Sequence, residues 1–478
     1  MSTSATASIT VAPEPARNFA QEHFGQADLG HKKRNGCLLR VAERICRHPG
    51  GTLPNKMGSP TNYKAMDDLM NRPEVTHASV LASHVRRTQE RIQAVQGVVL
   101  LLHDTTELEY TGLSIPELGP IGNGNRRGYL CHNTLAIHPE RREVLGLANQ
   151  ILHARVPVPA GESVKAKRKR QSRESRLWSR AVQAIGPVPA GVTCVDVADR
   201  GADLFEFLAT EQQLCRKALV RACQNRWIFA GHGAGAEKVR LFGHLRSLPA
   251  WGTQNKKIYD RAQAQERQAQ LAVAAAPLTL PPPHIQKGEY EKKPLKLRGV
   301  RIWEPTPPQG QKALEWFLLC FEPVTTLAAA WQCSRWYECR YVVEEYHKAQ
   351  KTGCDMERLQ FETQQALQPM IALLSVVAVM LLNLREACRQ PDADTRPATE
   401  VVDRQYEEIL RAWRWQQPHA PMSVKEFYMA LGRLGGHMNR KSDGNPGWLV
   451  LWRGWTKLQC MLDGVDAERR RRKICRVT

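Results

Sequence analysis

The sequence predicts an α/β protein in which a sheet-centred core carries a β-rich insertion and is flanked by helical N- and C-terminal domains. Three observations predict this. Apolar runs at 98–102 and 192–198 have the texture of strands buried on both faces, and each leads into an aspartate. Residues 224–310 hold glycine-rich turns, the triplet Pro281-Pro282-Pro283 and strand-like pieces such as 295–303, which suits an insertion better than a separate globular unit. Both ends of the chain show helical periodicity with good punctuation.

Composition narrows the class of function. Over 478 residues, 68 Lys and Arg outnumber 47 Asp and Glu for a formal charge of +21. Such a surplus implies a polyanionic partner, nucleic acid first and an anionic membrane second. With 42% hydrophobic residues the chain has ample material for packed cores. The longest apolar run, 370–382, is too short to cross roughly 30 Å of hydrocarbon and reads as a buried helix, so no membrane partner is expected. The first 15 residues read as a flexible tail rather than a signal peptide. The 13 cysteines include no C-x-x-C pair, as expected of reduced thiols in a cytoplasmic protein, and a zinc site is not expected.

Taken in order, residues 16–85 form the helical N-terminal domain. Leu38, Val41, Ala42 and Ile45 fall at helical spacing with Arg40, Arg44 and Arg47 interleaved, a pattern suited to a helix laid against phosphates. Residues 86–390 form the core. Its first strand ends at His103-Asp104, a Gly/Asn/Arg-rich loop spans 119–128, and 134–138 with 144–156 flank a polar turn as a hairpin. A basic stretch, 165–180, leads into a helix around Trp178; the second strand ends at Asp199; 202–214 is helical and 218–222 is a short strand. After the insertion, bounded at about 224–312, a strand at 314–321 returns to the core, followed by helices over 331–351 and 362–385 and a linker at 390–398.

Residues 391–478 form the helical C-terminal domain. Ser423 and Glu426 make a capping box, with Met422 and Phe427 as its staple. Asn445-Pro446 starts a further helix whose Trp448, Leu451, Trp452, Trp455, Leu458 and Leu462 share one stripe. Three tryptophans there suit either an internal core or a dimer or interdomain interface. The run 469–473 is a solvated basic tail.

The chemistry rests on three carboxylates. Alone, an aspartate at a strand end is as well explained by a turn. The helix after Trp336 adds a third. At about 100° per residue, Tyr337, Arg340, Glu344, Lys348 and Lys351 share one narrow face, while Cys339, Val342, Val343, Tyr346 and Ala349 point to the sheet. One carboxylate among cations is what a phosphodiester site beside a metal needs. A strand with Asp104, a hairpin, a helix, a strand with Asp199 and a late helix with Glu344 is the ribonuclease-H-like order. Carboxylates converging at one rim repel unless a divalent cation neutralises them, and two ions about 4 Å apart would serve an in-line phosphoryl transfer.

The blocks His103-Asp104-Thr105-Thr106-Glu107-Leu108-Glu109-Tyr110, Asp199-Arg200-Gly201-Ala202-Asp203 and Tyr337-x2-Arg340-x3-Glu344-x6-Lys351 resemble bacterial insertion-sequence transposases of the DDE class. The last block resembles the Tyr-Arg-Glu-Lys signature of a cut-and-paste subgroup whose best-known member moves a kanamycin-resistance transposon. The likeness runs from about Phe24 to Asp466 and is thinnest at about 255–287. It implies Asp104, Asp199 and Glu344 as the catalytic, metal-binding triad, holding Mg²⁺ with Mn²⁺ tolerated, as two ions. It implies that Tyr337, Arg340, Lys348, Lys351 and Arg221 contact DNA and that Trp316 holds a flipped base beside a hairpin intermediate. It further implies double-stranded DNA as partner, recognition of terminal inverted repeats by the N-terminal domain, and a homodimer made by the C-terminal helices. An RNase-H-fold nuclease and a catalytically inactive DNA-binding repressor are the alternatives.

Overall fold

The computed structural model describes residues 16–47, 52–156, 161–163, 166, 170, 172–233, 235–260, 265–284, 290–311, 313–402, 404–440 and 443–475. The tail expected at 1–15 and part of the basic stretch 165–180 lie outside them.

Five helices come first: α1 (Ala16–Phe24), α2 (Lys32–Arg47), α3 (Leu53–Met57), α4 (Pro60–Met70) and α5 (His77–Ala94). The expected α2 stripe is the one buried: Leu38, Val41, Ala42 and Ile45 are all inside. α5 runs across the expected domain boundary at 85/86. A helix cannot end mid-turn without freeing backbone carbonyls, and its capping box at Thr76/Ser79 and last turn lie well to either side of that point. The N-terminal helices share one hydrophobic cluster with the sheet and with the long helix that covers it.

Then come β1 (Gly97–Glu109), β2 (Gly119–Pro120), β3 (Arg127–Ile137), β4 (Val144–His153), α6 (Leu177–Ile185), β5 (Val192–Ala198), α7 (Phe205–Gln213) and β6 (Lys217–Arg221). β1 is antiparallel to β3 and parallel to β5, and β5 is parallel to β6. Alternate residues of β1 go to opposite faces: Leu100 and Leu102 join the cluster under the N-terminal helices, Val99 and Leu101 a second one. Burial on both sides is why the run is continuously apolar.

The segment expected as an insertion supplies β7 (Trp227–Ala230), β8 (Lys238–Arg240), α8 (Leu241–Ser247), β9 (Gly252–Asp260), β10 (Gln265–Leu280) and β11 (Leu295–Trp303). It extends the core sheet. β12 (Glu315–Cys320) pairs with β6 on one side and β11 on the other, and the described strands form one mixed sheet in the order β2-β3-β1-β5-β6-β12-β11-β10-β7-β8, with β4 on β3 and β9 on β10.

Three helices follow: α9 (Leu327–Glu338), α10 (Tyr341–Lys348) and α11 (Gln364–Ala387). The 24-residue α11 exceeds the apolar run that predicts it and is long and apolar enough to cross a membrane, yet 88% of its most apolar window is buried inside the protein. Side chains from the N-terminal helices, the sheet and the C-terminal helices cover it, which is the position of a core helix.

The C-terminal helices are α12 (Arg404–Trp415), α13 (Val424–Leu434) and α14 (Trp448–Ile474). The Ser423–Glu426 capping box is present in both directions, and Met422 and Phe427 are both buried. α14 starts two residues later than Pro446 suggests, because the Pro446 carbonyl accepts the Tyr428 hydroxyl at 2.8 Å and Gly447 supplies the first helical acceptor, to the Leu451 amide at 3.0 Å. α13 and α14 cross at Gly435 and Gly454, where a Cβ on either would strike the other helix's backbone. The tryptophan stripe is spent within the chain. Trp455 is in the C-terminal core, Trp448 and Trp452 also touch the main core, and Arg385 of α11 lies 5.5 Å from the Trp448 ring. Within the chain, then, the stripe serves partly as internal core, at Trp455, and partly as a contact with the main core, at the half-buried Trp448 and Trp452.

Candidate functional site

Asp104 does not end its strand. β1 runs on to Glu109, held by β3 through Glu109↔Gly128. Asp104 still lies at a rim, because the parallel pairing of β1 with β5 stops at His103↔Ala198, and one further step of that register sets Asp104 beside Asp199. Leu100, Leu102 and Asp104 alternate onto one face of β1, as do Val195, Val197 and Asp199 on β5, so both carboxylates stand on the face that α10 covers.

Glu344 comes to them on α10. Val342, Val343 and Tyr346 of that helix are fully buried, as expected, which turns Glu344 outward. Arg340 joins the carboxylates. Its guanidinium donates to Asp104 Oδ2 at 3.3 Å and, through its other terminal nitrogen, to Glu344 Oε1. Burial pushes the Asp104 carboxyl up to about 6; Arg340 opposes that rise, and Asp199 and Glu344 add to it. The Thr105 amide donates to Asp104 Oδ1 at 2.8 Å. Asp199 Oδ1 accepts the Gly201 amide at 2.8 Å, and Gly201 has no side chain because Trp178 packs directly over it.

Three carboxylates are the right donors for a hard divalent cation. As placed, no three His, Cys, Asp or Glu side chains among the described residues stand close enough to share an ion. The cation on Asp104 and Glu344 is the guanidinium.

The single stripe expected to face phosphate is not continuous. α9 ends at Glu338, and the amides of Arg340, Val342 and Val343 reach back three residues rather than four, to Tyr337, Cys339 and Arg340. That tighter winding advances each residue further around the axis. Tyr337 is consequently buried, 5% exposed, with its ring edge-on to Trp316 at 5.2 Å. A π-helical turn at Ala349–Gly353 shifts the far end of the stripe in turn. Lys351 pairs with Glu357 at 3.2 Å and Lys348 with Glu345 at 2.7 Å. Arg221, at the end of β6, lies 5.9 Å from the same half-buried Trp316 of β12. The structure therefore groups Asp104, Asp199, Glu344 and Arg340 in one cluster and Arg221, Trp316 and Tyr337 in a row beside it.

Sequence reasoning misses three buried polar systems. On the far face of β1, His103 Nε2 donates to Asp196 Oδ1 at 2.7 Å, and Arg216 closes on the same carboxylate at 2.9 Å. His103 Nδ1 faces the Thr134 hydroxyl at 3.1 Å, and the Thr105 hydroxyl meets His132 Nδ1 at 2.8 Å. On the near face, Asn133 Nδ2 donates to Gln350 Oε1 at 3.3 Å, Gln150 bridges Asn133 Oδ1 and Ser375, and Gln350 also reaches Ser375 at 3.0 Å. Asp203 is fully buried and accepts the Cys223 and Gln224 amides at 2.7 and 2.9 Å, tying the end of β6 to the turn after Asp199. The signal that could find them is a polar residue such as Asp196 inside an apolar strand, since a buried charge requires a partner.

No family model matches the sequence. Among solved structures the fold is similar, at a TM-score of 0.33 and 8% identity, to the cryo-EM structure of a piggyBac transposase synaptic complex with hairpin DNA, over 78% of this chain and 73% of that one. At that TM-score the two share too little geometry to transfer a site.

Proposed function

We propose that this chain is a DNA transposase of the DDE class, in the cut-and-paste subgroup with the Tyr-Arg-Glu-Lys signature, built on a ribonuclease-H-like core. On this reading it binds the terminal inverted repeats of a mobile element, hydrolyses phosphodiesters at the boundary, releases the element through hairpins and joins its 3′ ends to target DNA. One observation carries the reading: Asp104 and Asp199, 95 residues apart in sequence, each directly follow the last pair of the β1–β5 register, His103↔Ala198, and Arg340 links Asp104 to Glu344. The strand order β4-β3-β1-β5-β6, antiparallel then parallel, supports a core of the ribonuclease-H type.

Asp104, Asp199 and Glu344 would hold Mg²⁺, which would activate the attacking oxygen and stabilise the leaving one. The chain's own side chains do the positioning. Arg340 offers a planar fork to a phosphate, and Lys348 and Lys351 add charge along the strand. The Arg221–Trp316–Tyr337 row presents an aromatic face beside a cation, suited to an unstacked base. The helices α1–α4, with the basic residues of α2, would read the repeats. Two subunits would act on paired ends. That pairing would fall to the C-terminal helices, whose Trp448 and Trp452 are only half-buried against the main core.

The test is a cleavage assay with Mg²⁺ on linear DNA bearing the element's flanking repeats, wild type beside Glu344→Gln, on denaturing gels. Metal-dependent cuts at the boundary, lost in the variant, are expected, with hairpin ends. Specific binding without cutting would identify a repressor. Cutting without regard to the repeats would identify a plain nuclease.

A further inference from the structure

We propose that Arg340 is an internal counter-ion that excludes divalent metal from the carboxylate cluster until a DNA phosphate draws its guanidinium away. The inference rests on the triad reading above and deepens it by ordering the two binding events.

Arg340 contacts one oxygen of each of two carboxylates that would hold a metal, Asp104 Oδ2 and Glu344 Oε1, while the Thr105 amide donates to Asp104 Oδ1. A guanidinium and a metal ion cannot both occupy them. Among the described residues it is also the cation in contact with these two carboxylates. Lys348 is engaged by Glu345 and Lys351 by Glu357. His347, one turn away, is buried, and burial with Lys351 and Arg340 nearby pulls its pKa down to about 3, so it contributes no charge near neutrality.

The exchange needs a second anion. Arg340 is largely buried, with its side chain 18% exposed. Losing both carboxylates to a metal would leave its charge uncompensated, and a buried unpaired charge is costly. A phosphodiester oxyanion matches the guanidinium fork as well as a carboxylate does. Arg340 sits at the junction of α9 and α10, where the backbone bonds change spacing, so a rotation of its long side chain can reach outward without moving α10. Phosphate on Arg340 and metal on the carboxylates then help each other, and this linkage is reciprocal.

The experiment titrates full-length protein with Mn²⁺ and reads free Mn²⁺ by electron paramagnetic resonance, for wild type, R340Q and R340K, with and without a pre-cut duplex ending at the repeat boundary. Without DNA, R340Q should bind Mn²⁺ about tenfold more tightly than wild type. The duplex should tighten wild type by about the same factor and R340Q by much less. Should R340Q fail to fold, R340K decides, because one ammonium spans one carboxylate where the fork spans two; its affinity should shift the same way by a smaller factor. Equal Mn²⁺ affinities of the variants and wild type without DNA would overturn the exchange and leave the carboxylate site standing. No Mn²⁺ binding by any of the proteins, with or without DNA, would overturn the triad reading along with it.

Discussion

Asp104 of β1 and Asn133 of β3 are paired directly across the antiparallel ladder. Their side chains share the face covered by α10, and Asn133 donates to Gln350 in the turn that ends α10. The helix that carries Glu344 is thus fastened to the strand that carries Asp104 by a buried amide pair, one residue across from the carboxylate itself. This clamp and the fully buried Val342, Val343 and Tyr346 hold α10 against the sheet.

Loosening the clamp should be costly. Gln350→Leu leaves Asn133 and Ser375 short of a partner in a site with no access to water, and the expected loss is about 1–3 kcal/mol of core stability by denaturant titration. Metal-dependent cutting should fall as well, because Glu344 loses its registration. Unchanged stability would show that the amide pair is dispensable.

Glu344→Gln should abolish end cleavage while repeat binding in gel shifts stays intact. Glu344 is 41% exposed on its side chain and its ion-pair partner is Arg340, so the fold does not depend on its charge. Loss of binding, or retained cleavage, would remove Glu344 from the metal-binding set.

Asp104 predicts a pH dependence. Its folded pKa of about 6 lies above the ordinary 3.8, so the native state binds the proton more tightly than the unfolded chain does. The resulting stabilisation is fully present below the ordinary value and is lost as pH rises through about 6. Thermal melting without divalent metal should show this decline over roughly pH 4 to 6, and Asp104→Asn should flatten it. Over the same window, metal affinity should rise with pH.

The two lysines should differ in their salt signature. Removing a lysine that neutralises one phosphate should lower the slope of log affinity against log salt by about one. Lys348 is the more exposed, 57% against 32% for Lys351, and lies closer to Glu344 along α10. Each is paired with a carboxylate, Lys348 with Glu345 and Lys351 with Glu357, so exposure decides: Lys348→Ala should show the full change and Lys351→Ala a smaller one. Filter-binding over a salt series separates them.

The C-terminal helices meet the main core through Trp448 and Trp452, and Trp455 fills their own core. Trp455→Ala should cost about 3–5 kcal/mol in the C-terminal unfolding transition. Truncation near Ala398 should uncover Leu381 and Arg385 and lower core stability as well as removing end pairing. A truncated protein that still forms paired-end complexes would refute the role of these helices in dimerisation.

Much of the fold is legible in the sequence because it is local. Two-sided burial makes an apolar run, so β1 and β5 are visible as Val98-Val99-Leu100-Leu101-Leu102 and Val192–Ala198, and the Ser423–Glu426 box marks its helix start. Local periodicity fails where winding changes. Counting 100° per residue puts Tyr337 on the Arg340 face, but the three-residue backbone spacing at Arg340 and the π turn at Ala349–Gly353 break the phase at both ends. Pro446 points to a helix start two residues early, because its carbonyl is already committed to Tyr428.

The sequence by itself determined which residue types were available: three carboxylates in order, basic and aromatic groups around the third, and a large positive charge. Only the tertiary structure decided which of them meet. The β1–β5 register ends one residue short of Asp104 and Asp199, the buried Val342, Val343 and Tyr346 seat α10 on the sheet, and Arg340 turns inward to Asp104 and Glu344. Those placements depend on strand register and on which buried polar groups find partners, both set by contacts between residues far apart in the chain. A one-residue slip in β1 would have turned Asp104 to the opposite face, with no change in composition or motif.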